Sequence, residues 1–376
     1  MLVDISAGYI PLLDSAVLVV AADGGFAESE GVALHLSRET SWANIRDRIG
    51  IGHFDAAHML APMPIAASLG LGPLAVPMLA PVALGLGGNA VTVSSLIGEA
   101  MRREGFADTG PRNAGEALRH VIAARQRQSL PRLRLAVVHI HSSHNYDLRY
   151  WLAACGIDPV ADVDITVVPP PYMADALLAG QVDGFCVGEP WNSVAVAQGG
   201  GRIVTTKAEI WRRSPEKILG VSQGFAERQP EALGALVRAL IAAAQWCDAP
   251  QNHRQLATML ARPDRLGIAE DLLMPALSGH LQVAAGEFRD IEEFMVFSRF
   301  GANRPETAHE DWLFQQMLRW GDIPADHAAA AVAVFRPDLY DAALQSEALG
   351  PLVSHPPARR NTAAAVQPSG LFNSPA

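Results

Sequence analysis

Apolar residues recur along this chain in short strand-like runs and in longer runs with a period near 3.6, and the two alternate. Ile5 to Ile10 reads as a strand, Asp14 and Ser15 as a helix cap, and Ala16 to Ala22 as the helix behind it, ended by Gly24 and Gly25. Val32, Leu34 and Leu36 alternate with small or polar residues as a second strand. Thr40 or Ser41 then caps a helix running through Ile49, with Trp42 at its start, and Asp55 to Leu60 supplies a third apolar run. This βαβ repetition predicts an α/β protein with a mostly parallel sheet, helices on its faces, and ligand groups gathered in loops at the carboxyl ends of strands.

The pattern restarts near Asn89 with Ala90-Val-Thr-Val. It continues through a strand holding Leu135, Val137, Val138 and Ile140, a strand at Ile165 to Val168, and Gly184-Phe-Cys-Val-Gly. These runs predict a second α/β lobe over residues 89–200, after a first part of lobe 1 over 1–88. Arg202 to Thr205 and Ile218 to Val221 are expected to return to lobe 1, whose second part, with C-terminal helices, covers 201–350. Two crossings between lobes make a hinge. In Glu231 to Asp248 the residues Leu233, Leu236, Val237, Leu240 and Ile241 share one helix face, between Pro230 and Pro250, and the chain beyond reads as helical bulk buttressing lobe 1. Residues 351–376 are rich in Pro, Ala and Ser and read as a disordered tail. No repeat of fixed period is present.

Composition narrows the class. The 376 residues are 49% hydrophobic and 18% charged, enough apolar content for a packed core, and the formal charge of −10 argues against a direct nucleic-acid surface. Cys155, Cys186 and Cys247 are odd in number and scattered through apolar stretches, which disfavours a disulfide framework. The first ten residues carry Asp4 and no basic residue before Arg38, so no signal peptide is read and a cytoplasmic location is expected. The apolar stretch from Ala56 to Leu86 is broken by five prolines and several glycines, so no membrane insertion is expected.

Candidate chemistry concentrates in His139-Ile-His-Ser-Ser-His-Asn-Tyr-Asp-Leu-Arg-Tyr-Trp151. Ser142 or Ser143 can cap the helix that follows, and a strand, polar turn and helix start suit an anion, because first-turn N–H groups and the helix dipole favour negative charge. Three histidines also invite a metal, but His144 lies beyond a turn from His139 and His141, with no cysteine or acid beside them to complete a tetrahedral set. The preferred reading makes His139 and His141 structural and His144 an N–H donor. Ser142 or Ser143 with His144 and Asp147 could suggest a hydrolase; the strained turn such a nucleophile needs is not visible. Gly85-Leu-Gly-Gly-Asn fits neither phosphate-loop nor dinucleotide patterns and reads as a hinge loop whose Asn89 offers an amide. Lys217 precedes an apolar strand, and Trp42 is either core or a flat donor surface; alone, neither decides anything.

Five segments together carry a resemblance: Asp55-Ala-Ala-His-Met-Leu-Ala-Pro-Met-Pro, Ser143-His-Asn-Tyr-Asp-Leu-Arg-Tyr-Trp-Leu-Ala-Ala-Cys-Gly-Ile, Pro169-Pro-Pro-Tyr-Met, Val187-Gly-Glu-Pro-Trp-Asn and Pro215-Glu-Lys-Ile-Leu-Gly-Val. With Arg319-Trp-Gly and Arg336-Pro-Asp-Leu-Tyr, they make roughly residues 5 to 345 resemble the nitrate-binding family of ABC-type solute-binding proteins. The resemblance implies a two-lobed type II periplasmic-binding-protein fold with extra C-terminal helices, closing on nitrate, nitrite or, in one branch, bicarbonate. It also implies that Trp42, Asn89, His144 and Lys217 surround the ion, although the family pattern has glutamine where Asn89 stands. The bicarbonate branch lacks this lysine and recruits a metal, so Lys217 favours nitrate or nitrite, with no metal and no cofactor. Nitrate offers only acceptor oxygens and one negative charge, which donors and one compensating cation would match.

Together with the N-terminus, the resemblance points to a sensor that is not an enzyme. In that branch a cytoplasmic binding protein holds an RNA-binding antiterminator of the ANTAR type inactive until nitrate or nitrite arrives. The alternative is the substrate-binding component of a nitrate or bicarbonate ABC transporter.

Overall fold

The structure is a computed structural model that describes residues 1–73, 75–108, 110–324 and 333–345. The tail expected over 351–376 lies outside the described residues. Two five-stranded sheets organise the rest. The first has the spatial order Val32–Arg38, Val3–Tyr9, Ala56–Leu60, Lys217–Ser222, Met78–Ala83. Its first three strands are parallel, and Lys217–Ser222 runs antiparallel to both neighbours, setting Lys217 opposite Leu60.

The second sheet has the order Gly201–Thr206, Asn89–Ser94, Gly184–Gly188, Leu133–Val137, Val163–Val167. Asn89 pairs with Gly188 and Thr206 with Ala90, so the start of one strand and the ends of its two neighbours meet at one end of the sheet. This topology corrects one expectation. Gly201–Thr206 does not return to the first sheet; it pairs antiparallel with Asn89–Ser94, and the chain recrosses only between Thr206 and Lys217. All six residues of that strand are buried, so it has no polar face to reveal which sheet it joins.

Burial explains the layers. Leu219 and Val221 pack with the helices Ala16–Asp23 and Pro230–Asp248, while Ile218 packs on the other side with Trp42, Ile45 and Ile49 of the helix Trp42–Gly50. Ala16–Asp23 is buried from Ala16 through Ala21, as expected for a helix that is apolar all round. Farther along, the chain is less uniformly helical than its composition suggests: His280–Ala284 and Glu287–Asp290 form a hairpin, and Met295–Val296 pairs with Leu86–Gly87. The helix Thr307–Arg319 touches both Pro62–Ser68 beside the first sheet and Ser143–Ala154 beside the second.

The first crossing requires its glycines. Gly85, Gly87 and Gly88 all have positive φ, and a Cβ on Gly87 would stand 2.4 Å from the Phe294 carbonyl oxygen.

Candidate functional site

Four expected residues converge between the sheets. Trp42 opens a helix whose cap is Ser41, which accepts from the Asn44 N–H, and His144 lies in the first turn of Ser143–Ala154, where Ser142 accepts from the Asn145 N–H. Asn89 and Lys217 each begin a strand, one in each sheet. All four are buried.

At the centre stands a residue to which the sequence reading gave no role. The Glu216 carboxylate accepts from Asn89 Nδ2 at 2.7 Å, Ser143 Oγ at 2.6 Å and Lys207 Nζ at 2.6 Å through Oε2, and from Lys217 Nζ at 2.5 Å through Oε1. His144 Nε2 is 3.5 Å from Oε1. Donors from both lobes therefore meet on one carboxylate of the second crossing. The sequence signal was an acid and a base side by side, Glu216-Lys217, leading straight into a buried strand.

Lys217 also lies 2.8 Å from Asp14 Oδ2, and its Nζ is 5.5 Å from the Trp42 ring centre. Asp14 thus does not act as the expected cap: the helix Ala16–Asp23 has no side-chain cap, and the Asp14 carboxylate turns to Lys217 and to His58 Nε2, 3.0 Å away. The Ile10 N–H donates to His58 Nδ1, so the remaining ring proton belongs on Nε2, facing Asp14. Lys207 joins the cluster 2.7 Å from Asp147 Oδ2 and donates to the Pro215 carbonyl. The cation expected to stand free for an anion is therefore already held by two carboxylates.

Electrostatics separates these groups. Burial would raise the Glu216 carboxyl, but Lys207 and Lys217 hold it well below the usual range; Asp14 is likewise lowered against burial, by Lys217 and His58. Burial keeps His144 neutral, with its pKa near 3, and lowers His58 as well. For Asp147 burial outweighs Lys207 and pushes the carboxyl up to about 6.

Several polar atoms remain unpartnered. Trp42 Nε1 and both ring nitrogens of His144 are buried without a hydrogen-bond partner, as is Asn89 Oδ1. Such groups cost roughly 1–3 kcal/mol each when left unpaired, so they mark where a small polar ligand would be welcome.

Other candidates separate from this cluster. The strand ends at Val137, so His139 and His141 lie in the following turn, and Ile140, expected in a buried strand, is 52% exposed. His139 Nδ1 accepts from the His141 N–H, and burial with the His141 charge lowers its pKa to about 4. Among the described residues no group of three or more His, Cys, Asp or Glu is arranged to hold a metal ion. Ser143 donates to Glu216 rather than to a histidine. Cys155, Cys186 and Cys247 are free and buried.

Residues 2–261 match the model of the NMT1-like family. The chain belongs to that family. This NMT1-like chain is 30% identical over 325 residues to the nitrate/nitrite binding protein NrtA of Nostoc sp. PCC 7120, covering 85% of this chain and 71% of that protein. It is 36% identical over 343 residues to the nitrate import ATP-binding protein NrtC of Synechocystis sp. PCC 6803, covering 90% of this chain and 49% of that one. The bicarbonate transport ATP-binding protein CmpC of the same organism matches at the same identity over 329 residues. The NMT1-like chain spans about half the length of these last two relatives. The crystal structure of the periplasmic nitrate-binding protein NrtA from Synechocystis PCC 6803 superposes with a TM-score of 0.84 at 27% identity, covering 92% of this chain and 89% of that one. The fold is that of the periplasmic binding proteins, in two lobes, and the relatives are solute-binding and transport proteins.

Proposed function

We propose that this chain binds nitrate or nitrite between its lobes as the substrate-binding component of an ABC transporter. The observation that carries this reading is the convergence of Trp42, Asn89, His144 and Lys217 from four separate segments, with the buried N–H groups of Trp42 and His144 left unpartnered. A flat monoanion offering only acceptor oxygens suits an indole N–H, an imidazole N–H and a buried ammonium. The names of the relatives favour transport over the antiterminator-releasing sensor that the sequence alone suggested. Binding that draws on both lobes would favour the closed state in proportion to its extra affinity for that state.

The test is calorimetric titration of metal-free protein with nitrate, nitrite, and bicarbonate with and without a divalent cation. It is paired with co-purification from the native host with and without nitrate. Saturable nitrate or nitrite binding with recovery of ABC-transporter subunits supports the reading. Binding of bicarbonate alone overturns the ligand, and recovery of an ANTAR-type antiterminator that nitrate releases overturns the transport role.

A further inference from the structure

We propose that the site takes up one proton with each nitrate or nitrite it binds, and that Asp147 carries that proton. The inference rests on the anion-binding reading above and adds a co-ligand to it.

The cage holds three carboxylates, Asp14, Asp147 and Glu216, against two ammonium groups, Lys207 and Lys217, and all five side chains are buried. His58 and His144 add no charge, because burial keeps both neutral. The empty cage is therefore anionic before any anion arrives. Nitrate adds a further negative charge and is itself too weak a base to bring a proton at neutral pH. Like charges in a medium that screens them poorly do not simply accumulate, so a balancing positive charge enters with the anion, as a proton taken from solvent by one of the carboxylates.

The carboxylates differ in how firmly they hold their charge. Glu216 has two lysines, the Asn89 amide and the Ser143 hydroxyl on its oxygens, and Asp14 has Lys217 and His58. Asp147 is ion-paired with Lys207 alone among the described residues, and Lys207 is shared with Glu216. The groups facing Asp147 are Lys207, Glu216 and, farther off, Lys217. Cys186 on the strand Gly184–Gly188 stays a thiol because burial, then Asp147 itself, raises it. His309, from the helix Thr307–Arg319, faces Lys207 and is kept neutral by burial, with its pKa near 4.

Asp147 is also coupled to the anion position. It lies three residues after His144 on the same helix, and therefore on the same face, and Lys207 links it to the Glu216 carboxylate on which the donors converge. With a carboxyl at about 6, Asp147 is mostly ionised in the empty site at pH 7. An added anion raises that value, and a proton moves from solvent to an Asp147 carboxyl oxygen. Affinity should fall up to tenfold per pH unit between the free and the anion-bound values.

Titration of wild-type protein with sodium nitrate at pH 7 in PIPES and in imidazole, whose ionisation enthalpies differ, counts the protons directly. The expected result is an uptake close to one per nitrate. In Asp147→Asn the uptake should vanish and the affinity should become flat from pH 6 to 9. Saturable binding whose heat is the same in both buffers overturns the proton uptake while leaving the anion reading intact, and unchanged uptake in Asp147→Asn overturns the assignment to that residue. Absence of any saturable heat overturns the anion reading, and the proposal with it. The wild-type measurement decides the main point even if the variant does not fold.

Discussion

Lys217 Nζ lies 2.8 Å from Asp14 Oδ2, with both side chains buried, although Asp14 sits in the short 3-10 helix Leu13–Ser15 after the first strand and Lys217 begins the strand that re-enters the same sheet late in the chain. The pair fastens that late strand to the site. Lys217→Met removes an ammonium on which both Asp14 and Glu216 depend, and breaking a buried ion pair from one side costs about 3–5 kcal/mol. Urea unfolding at pH 7 should show a loss of that size, and nitrate titration a loss of binding. Adding Asp14→Asn to Lys217→Met should recover part of the stability, and strict additivity of the two changes would show that the pair is not coupled.

Trp42 supplies an indole N–H with no partner in the folded chain. Trp42→Phe keeps a ring in the packing between Ile45 and the first sheet while deleting that donor. Nitrate affinity should weaken by about 1.5–3 kcal/mol, the range for a hydrogen bond to a charged group. Unchanged affinity in calorimetry would remove the indole from the anion site.

His144 has its pKa lowered to about 3 by burial, against an ordinary value near 6.5. A group that resists protonation in the folded state contributes stability that is complete above its unfolded pKa and is lost as pH falls from there toward the folded value. Between pH 6.5 and pH 5 that loss is about 2 kcal/mol. The stability gap between wild type and His144→Asn should therefore narrow by about that amount from pH 7.5 to pH 5. A gap that stays constant in urea unfolding would mean that His144 titrates normally.

Gly87 has φ +75° in the first crossing, against the Phe294 carbonyl. Gly87→Ala combines backbone strain with a backbone clash and should cost at least about 1–3 kcal/mol in thermal or urea unfolding. A neutral result would show that the crossing relaxes freely.

The elements legible in the sequence were those whose periodicity is local. Val32–Arg38, Gly184–Gly188 and Pro230–Asp248 lie where the alternation, the glycines and the flanking prolines indicated. Gly201–Thr206 joins the second sheet rather than the expected first because sheet membership is fixed by pairing with distant Asn89–Ser94, which a fully buried strand does not advertise. Asp14 looked like a cap because Asp-Ser before an apolar run is a common cap sequence; its partners, His58 and Lys217, become neighbours only through the register of the first sheet. Glu216 and Lys207 were missed for the same reason. Glu216 looks solvated until the second lobe supplies Asn89 and Ser143, and Lys207 looks solvated until the distant helix Ser143–Ala154 supplies Asp147.

The proposed function stands on a small anion binding among Trp42, Asn89, His144 and Lys217. A crystal structure of the chain grown in saturating nitrate tests it most directly. Planar trigonal density is expected within hydrogen-bond distance of Trp42 Nε1, a His144 ring nitrogen and Lys217 Nζ. Nitrate bound elsewhere, with the Glu216 carboxylate alone filling that space, would contradict it.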